Sequence, residues 1–157
     1  MFTNKMTQGS ALTEVVLVAA ILSVVSLVFL GTFSTLSRFH ERDLFTIKGE
    51  LLAEEGMEAI RFIKDGDWNI LSGLIAGNQN YLALSPSSWS VTTIPEIIDG
   101  VFHRSFRVYS VSRDVSDDIV TSNGTVDSNT LRISVSVDWN WRGATSTANY
   151  QSIMTNI

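Results

Sequence analysis

The feature that most constrains this chain is an apolar run, residues 15–37, that contains no charged side chain. An apolar run of more than about 18 residues is long enough to cross the hydrocarbon core of a bilayer as a helix. The next charge is Arg38, directly after the run. The run therefore predicts a single membrane-spanning helix close to the N-terminus.

One carboxylate, Glu14, immediately precedes this run. A carboxylate held near the centre of a bilayer costs about 2.5–3.5 kcal/mol, so Glu14 requires either the wet interface or a fixed positive partner. In one interpretation it is a first-turn acid that complements the helix dipole. In the other it pairs with a cation. The residue pattern alone leaves both interpretations open.

The N-terminal segment resembles type IV prepilins and related pseudopilins. Members of that superfamily have a short, weakly basic leader that ends in glycine, a glutamate at the fifth position of the processed chain, and an unbroken apolar run. Here the leader is residues 1–9, Gly9 precedes the cut, Ser10 is the new N-terminus and Glu14 is the fifth mature residue. The chain departs from the family at Ser10, where Phe or Met is usual, and at Thr13, where Ile or Val is usual.

The resemblance implies a processing and assembly mechanism. A prepilin peptidase would cut after Gly9 and methylate the Ser10 amine, whose reference pKa of about 7.7–8.0 makes it largely cationic at neutral pH. Glu14 of an incoming subunit would pair with the amine of its neighbour. Because a buried charge without its partner is costly, this pair would set the register of the filament. At Gly31, the resemblance implies a site where the helix unwinds during assembly.

Secretory signal peptides and plain signal anchors also begin with an apolar run. A secretory signal peptide has a shorter apolar region followed by a small-residue cleavage site, and the residues after Leu30 contain no clear site of that kind. A plain signal anchor is the stronger alternative to a prepilin. The distribution of Lys5, Arg38 and Arg42 around the run does not decide its orientation.

Residues 38–66 continue with helical spacing. The apolar side chains form two rows, one of Leu44, Ile47 and Leu51 and one of Ala53, Met57 and Ile60. This pattern predicts an amphipathic helix whose apolar stripe faces a core. Lys64 and Gly66 are stop signals for a helix. Gly49 and Gly56 each weaken a helix by about 1 kcal/mol relative to alanine, so they predict bends or local melting.

The remainder, residues 67–157, predicts a loop followed by a sheet. Glycine, asparagine and serine fill residues 67–90, with short extended pieces near 82–84 and 89–91. Alternating patterns at 101–111 and 131–141 predict strands, the second half-buried, and a turn at 141–143 leads into a last strand at 144–154.

The predicted fold class is α+β: a long N-terminal helix, membrane-spanning in its first half and amphipathic in its second, packed on a small antiparallel sheet of three or four strands, as in type IV pilins. The predicted segments are the leader 1–9, the transmembrane and filament-core helix 10–37, the amphipathic helix 38–66 and the C-terminal domain 67–157.

Residues that point to catalysis are few. His40 and His103 lie in unlike contexts without neighbouring ligands. The acidic segment 113–129 suits either a calcium site or, more simply, a solvated loop, and Asn123 fits both a glycosylation sequon and a turn. We therefore expect no catalytic residue, no metal and no cofactor.

The composition argues against further classes of protein, namely disulfide-bonded and nucleic-acid-binding ones. The chain has no cysteine, which excludes disulfides, and a formal net charge of −5 with no basic excess for a nucleic-acid groove. These observations favour a structural role over an enzymatic one.

Three functional hypotheses follow. The first is a pilin or minor pilin of a type IV pilus, and the second is a pseudopilin of type II secretion or DNA uptake. Residues 51–61 and 135–139 are similar to the minor-pilin and pseudopilin branch, which includes PilV-like proteins and the I-class proteins of type II secretion. The third hypothesis is a signal-anchored protein with an exported binding domain.

For the first two hypotheses, the implied partners are a prepilin peptidase and methyltransferase, other pilin subunits, an inner-membrane assembly platform and membrane lipid, with no nucleic acid. The implied location is the inner membrane before assembly and an extracellular filament afterwards. Cleavage after Gly9 separates these two hypotheses from the third.

Overall fold

A computed structural model describes the backbone of residues 7–156 and the side chains of residues 11–156. Helix α1 occupies Thr7–Gly66, and the chain then forms a short helix and seven strands. By its internal contacts the chain divides into two compact units, Met1–Asp43 and Leu44–Ile157. Most of the predicted leader, and the side chains of Gly9 and Ser10, lie outside the described residues.

The described part of the first unit is α-helical throughout. Its described side chains, residues 11–43, are all exposed. The helix from Ala11 contains an 18-residue window with a mean hydropathy of 2.7, of which 0% is buried. By length and composition it is a candidate membrane span, and residues 11–37 of the predicted span 10–37 lie within it.

The second unit contains a short helix and two antiparallel sheets. Helix α2 is Trp68–Ser72, and the strands are β1 (Tyr81–Ser85), β2 (Ser88–Thr92), β3 (Glu96–Ile98), β4 (Phe102–Arg113), β5 (Ile119–Val120), β6 (Thr125–Trp141) and β7 (Ala144–Thr155). The main sheet has the order β3-β4-β6-β7, with β5 also paired to β4, and β1 and β2 form a separate hairpin. A long helix on antiparallel sheets confirms the α+β prediction.

Strand β6 supplies the centre of the core. Its inward row is buried as the alternation predicted: Leu131, Ile133, Val135, Val137 and Trp139. The predicted shared face of β4 is buried at Phe102, Arg104, Phe106 and Val108, although Ser105 on the other face is buried as well. The alternation ends after Val108: Ser110 is exposed and Val111 is buried, and a register shift against β6 lies between these two residues.

Of the two apolar rows predicted for the second part of α1, only one faces the core. Ala53, Met57 and Ile60 are buried, as expected. The row of Leu44, Ile47 and Leu51 is wrong as a core prediction, because its members are 53%, 53% and 59% exposed. Gly49, Leu52 and Gly56 face the core instead. Small residues let the backbone approach the sheet closely, and a pattern that counts only large apolar residues misses them.

Two glycines of α1, Gly49 and Gly56, mark a close approach of the helix to the sheet. A Cβ built on Gly49 would come within 3.0 Å of three ring carbons of Trp139. A Cβ built on Gly56 would lie 3.0 Å from Arg104 Cδ and from Val135 Cγ1. Helix α1 is continuous through both positions, so the predicted local melting is absent there, and packing explains both glycines.

The segment predicted as a loop, residues 67–90, is more ordered than expected. Asp67 caps α2 by accepting a hydrogen bond from the Asn69 backbone N–H at 2.9 Å. Leu71 is fully buried in the core. The extended pieces near 82–84 and 89–91 are confirmed as β1 and β2. Strand β3 was not predicted, because three residues carry too short a pattern to recognise.

Candidate functional site

Several hydroxyls in the apolar part of α1 bond to the helix's own backbone. Three hydroxyls within or beside the apolar run donate to the carbonyl four residues earlier: Ser23 to Ala19 at 2.8 Å, Thr32 to Val28 at 2.9 Å and Thr35 to Gly31 at 3.0 Å. A hydroxyl that enters hydrocarbon without a partner is costly, so these internal bonds lower the cost of inserting the helix. The sequence predicted the span without showing how its hydroxyls are satisfied.

Gly31 lies within continuous helix between two of these hydroxyl bonds. No heavy atom stands within 4 Å of a Cβ built at this position, so in contrast to Gly49 and Gly56 no packing within the chain requires glycine here. Glycine lowers helix stability by about 1 kcal/mol relative to alanine. The unwinding predicted at Gly31 concerns the assembled state and stays a prediction.

Glu14 is exposed and precedes the apolar run on α1. Of the predicted processing residues Gly9 and Ser10, only the backbone is described. The cation that the resemblance implies for Glu14 would be the amine of a second subunit. The roles predicted for Gly9, Ser10 and Glu14 therefore stay predictions.

A row of exposed apolar side chains follows α1 through the second unit. We call it the outer row; it consists of Leu44, Ile47, Leu51 and Phe62, which are 53%, 53%, 59% and 55% exposed. Eleven residues, about three helical turns, separate Leu51 from Phe62, so both lie on the same side of the helix. The helix consequently has an apolar stripe against the sheet and exposed apolar side chains on its outer side, where the exposed Glu55 and Glu58 separate Leu51 from Phe62. The helical spacing in the sequence identified the first three members as a row, but the prediction placed that row in the core.

The side chain of Arg104 is the centre of a buried ionic network. Arg104 is 1% exposed. The guanidinium donates to both carboxylate oxygens of Glu96, at 2.9 and 2.7 Å, and to the Leu52 carbonyl at 3.1 Å. Glu55 lies 3.3 Å away, and the Trp89 ring centroid is 5.3 Å from the guanidinium carbon. The network thus connects α1, β2, β3 and β4.

The charge of Arg104 is held by its partners. Burial acts to lower its pKa, but the hydrogen bonds and charges of Glu96 and Glu55 outweigh burial and raise the pKa of Arg104 above its ordinary value. Alternation along β4 correctly predicted that Arg104 shares a face with Phe102 and Phe106. The sequence did not predict its partners, because Glu96 lies on the unrecognised strand β3.

The acidic segment 113–129 is organised by an arginine. Arg113 donates to Asp127 Oδ2 at 2.7 Å, and the Thr130 hydroxyl donates to the same oxygen at 2.6 Å. These bonds, with one from the Asn129 backbone N–H, lower the pKa of Asp127 to about 2. The segment is also more regular than a loop, since β5 and the start of β6 fall within it. Among residues 11–156, no group of three His, Asp or Glu side chains is placed to hold a metal ion.

The remaining candidate residues are not assembled into a site. His40 is exposed on α1 in the first unit, and His103 is exposed on β4 in the second. His103 pairs in register with Asp138 of β6, and both line an open groove of about 340 Å³ at one end of the main sheet. Asn123 has a φ of 60°, which is the conformation of a turn and agrees with the turn interpretation of Asn123-Gly124.

Taken together, these features define an α+β protein with a long N-terminal helix, apolar enough in its first part to span a membrane and packed in its second part on an antiparallel sheet. This architecture is compatible with a pilin-like fold. Comparison with protein-family models, curated proteins and solved structures found nothing that matches the chain.

Proposed function

We propose that this chain is a structural subunit, a pilin or minor pilin, of a type IV pilus. The observation that carries the proposal is the order of Gly9, Glu14 and an uncharged spanning run at the start of one 60-residue helix. In this proposal a prepilin peptidase cuts after Gly9 and methylates Ser10. The N-terminal helix then assembles, with Glu14 paired to the amine of a neighbouring subunit.

Two features of α1 support an assembly role. The described side chains of the first unit are exposed, and its apolar surface requires lipid or other apolar helices around it. The outer row places four exposed apolar side chains, interspersed with Glu55 and Glu58, on the outer side of α1 in the second unit, where a soluble helix normally carries polar residues. In a filament, neighbouring helices cover both surfaces.

The proposed role is structural rather than enzymatic. The partners are a prepilin peptidase and methyltransferase, other pilin subunits, and an inner-membrane assembly platform. Membrane lipid surrounds the apolar helix before assembly and neighbouring helices replace it afterwards. The protein accordingly resides in the inner membrane first and in an extracellular filament later.

Mass spectrometry of the N-terminus tests this proposal. The protein is isolated from native membranes and from sheared surface material. We expect a mature chain that begins at methylated Ser10 in both fractions. A chain that retains Met1 in cells with an active prepilin peptidase contradicts the proposal and favours a signal-anchored protein.

A pseudopilin of type II secretion or DNA uptake is the second candidate. The segments 51–61 and 135–139, similar to the pseudopilin branch, favour it. Both candidates predict cleavage after Gly9. A processed chain that is present in membranes but absent from sheared filaments identifies the pseudopilin.

A further inference from the structure

At one end of the second unit, aromatic and basic side chains lie around the part of α1 with which the unit begins, near Leu44. Phe45 stacks on Phe102 with ring centroids 5.7 Å apart, and Phe102 lies 5.8 Å from Trp139. Lys48 pairs with Asp99 and lies over the Phe102 ring at 5.5 Å. These contacts place the start of the helix, the 99–101 turn and the last part of β6 together.

The direction of β6 places its hairpin at the same end. Val135 packs near Gly56, and Trp139 packs against Gly49. From Val135 to Trp139 the strand advances about 13 Å. Its contact on α1 moves about 10 Å in the opposite chain direction, from Gly56 to Gly49. Strand β6 therefore runs toward the Leu44 end of the unit, and the turn after Trp141 projects from that end.

We call the last residue of β6 and the turn that follows it the hairpin tip; it consists of Trp141, Arg142 and Gly143. Arg142 and Gly143 have φ values of 51° and 86°, and the Gly143 N–H donates to Asn140 Oδ1 at 3.0 Å. The Arg142 guanidinium lies 4.8 Å from the centre of the Trp141 indole. Arg142 is exposed and Trp141 is half-buried. A Trp–Arg pair combines an apolar body with polar edges, as side chains at the lipid headgroup level do.

Chain connectivity limits how far this end can lie from the membrane. The apolar run ends at Ser37 and the second unit begins at Leu44, seven residues later. Seven residues span at most about 25 Å, however they are arranged. The polar layer on each face of a bilayer is about 5–8 Å thick. The chain therefore tethers the second unit to the membrane-spanning segment at its Leu44 end, through a short connection.

We propose that the hairpin tip docks on the phospholipid headgroup layer of the membrane that holds the chain's own apolar run. The Trp141 indole lies among the headgroups, and the Arg142 guanidinium binds lipid phosphate. The tip thereby sets the orientation of the second unit before assembly. This inference rests on the membrane anchoring in the proposed function and requires neither cleavage nor filament formation.

Site-directed spin labelling of the full chain tests the contact. The chain has no cysteine, so one introduced cysteine carries the only label. Three variants are compared in phosphatidylcholine nanodiscs that hold one chain each: Val25→Cys in the apolar run, Ala144→Cys beside the tip and Ser122→Cys before β6. Positions 122 and 144 are both exposed and lie about 50 Å apart along β6. The measured quantity is collision with a water-soluble nickel complex relative to collision with oxygen.

We expect the label at position 25 to report hydrocarbon. The label at position 144 should collide with nickel at least threefold less often than the label at position 122, and the depth of the label at 144 should match the headgroup layer. Equal nickel accessibility at 144 and 122 overturns the inference even when the label at 25 reports hydrocarbon. A label at 25 that reports water overturns the membrane anchoring and the inference with it. Because each disc holds one chain, protection at 144 cannot come from a second copy.

A charge reversal at the tip identifies the residue responsible. Arg142→Glu, combined with Ala144→Cys, is expected to remove most of the nickel protection at 144. Arg132→Glu is the matched control: it makes the same change of charge on β6 beside Tyr109, away from the tip, and should leave the protection intact. Protection that survives Arg142→Glu, or that is lost equally in both variants, contradicts the role of Arg142.

Discussion

At the scale of single residues, Arg104 connects more elements of the second unit than any exposed ion pair does. Its guanidinium contacts Glu96 of β3, the Trp89 ring of β2 and the helix α1, and the residue is almost completely buried. Among residues 11–156, no fully buried side-chain nitrogen or oxygen lacks a hydrogen-bond partner. A buried ion pair is satisfied only as long as all of its members remain, so the network is sensitive to truncation.

Replacement of Arg104 is expected to be strongly destabilising. Arg104→Ala leaves the Glu96 carboxylate without its cation and opens a cavity, and should lower the free energy of unfolding by about 3–5 kcal/mol. Arg107→Ala, on the opposite face of β4, should cost less than about 1 kcal/mol. Denaturation of the full chain in detergent micelles, followed by tryptophan fluorescence, measures both, since all four tryptophans lie in the second unit. Equal losses would show that the network adds nothing.

Asp127 predicts a dependence of stability on acid. Its pKa is lowered from 3.8 to about 2 by the Thr130 hydroxyl, Arg113 and the Asn129 N–H. A depressed carboxylate pKa stabilises the fold above the unfolded pKa, and that stabilisation is lost as the pH falls through about 4 to 2. We expect the stability difference between wild type and Asp127→Asn to shrink over that interval. Asp118→Asn is the control, and urea denaturation between pH 6 and pH 2 is the measurement.

At the scale of elements, the same residue type has different roles along α1. Gly49 and Gly56 stand where the helix approaches β6 and β4, and side-chain atoms fill the space that a Cβ would occupy. Gly31 stands in the apolar part with open space around it. Helix propensity alone treats the three positions identically, because it describes an isolated helix and takes no account of the surface that the helix packs against.

Alanine substitutions separate these roles. Gly49→Ala inserts a methyl group against the Trp139 ring and should destabilise the second unit by about 1–3 kcal/mol despite the gain in helix propensity. Gly31→Ala meets no atom within 4 Å and should raise local helix stability by up to about 1 kcal/mol. Tryptophan fluorescence during denaturation reports the first effect, and amide hydrogen exchange around residue 31 reports the second. A neutral Gly49→Ala would contradict the close approach of helix and sheet as the reason for glycine.

At the scale of the whole molecule, the two units present different surfaces to a partner. The described first unit exposes apolar side chains throughout its run, while the second buries a core between α1 and the main sheet and exposes the outer row of its helix together with scattered apolar side chains such as Ile75, Leu84 and Ile94. An exposed apolar surface as continuous as that of the first unit marks a site of contact with lipid or with another apolar surface. The predictions at this scale therefore concern incorporation rather than folding.

Removal of the Glu14 carboxylate tests the assembly mechanism. Glu14→Ala should insert into membranes at wild-type levels, because the apolar run is unchanged. It should be absent from sheared filaments, because no carboxylate pairs with the neighbouring amine. Glu41→Ala is the control that removes an acid outside the apolar run, and immunoblots of membrane and sheared fractions provide the measurement. Normal incorporation of Glu14→Ala would leave Glu14 as a first-turn acid.

The outer row is expected to matter for assembly and not for folding. Leu51→Ser removes an exposed apolar side chain and should change the free energy of unfolding by less than about 0.5 kcal/mol, as is usual for surface substitutions. In the proposed filament it should reduce the sheared yield severalfold. Leu52→Ser, one residue further and buried, is the contrasting variant that should destabilise the second unit. A wild-type filament yield for Leu51→Ser would exclude the outer row from the interface.

The sequence by itself determined the elements whose patterns are long: the apolar run, the helix that follows it, the alternating core of β6 and the hairpin into β7. Each of these arises from a local periodicity that hydrophobic burial imposes on many residues at once. Tertiary structure alone decided which row of the helix faces the core, why Gly49 and Gly56 are glycine, and that Arg104 finds Glu96. These features depend on contacts between residues far apart in the chain, and a close approach or a single ion pair leaves no periodic trace in a sequence.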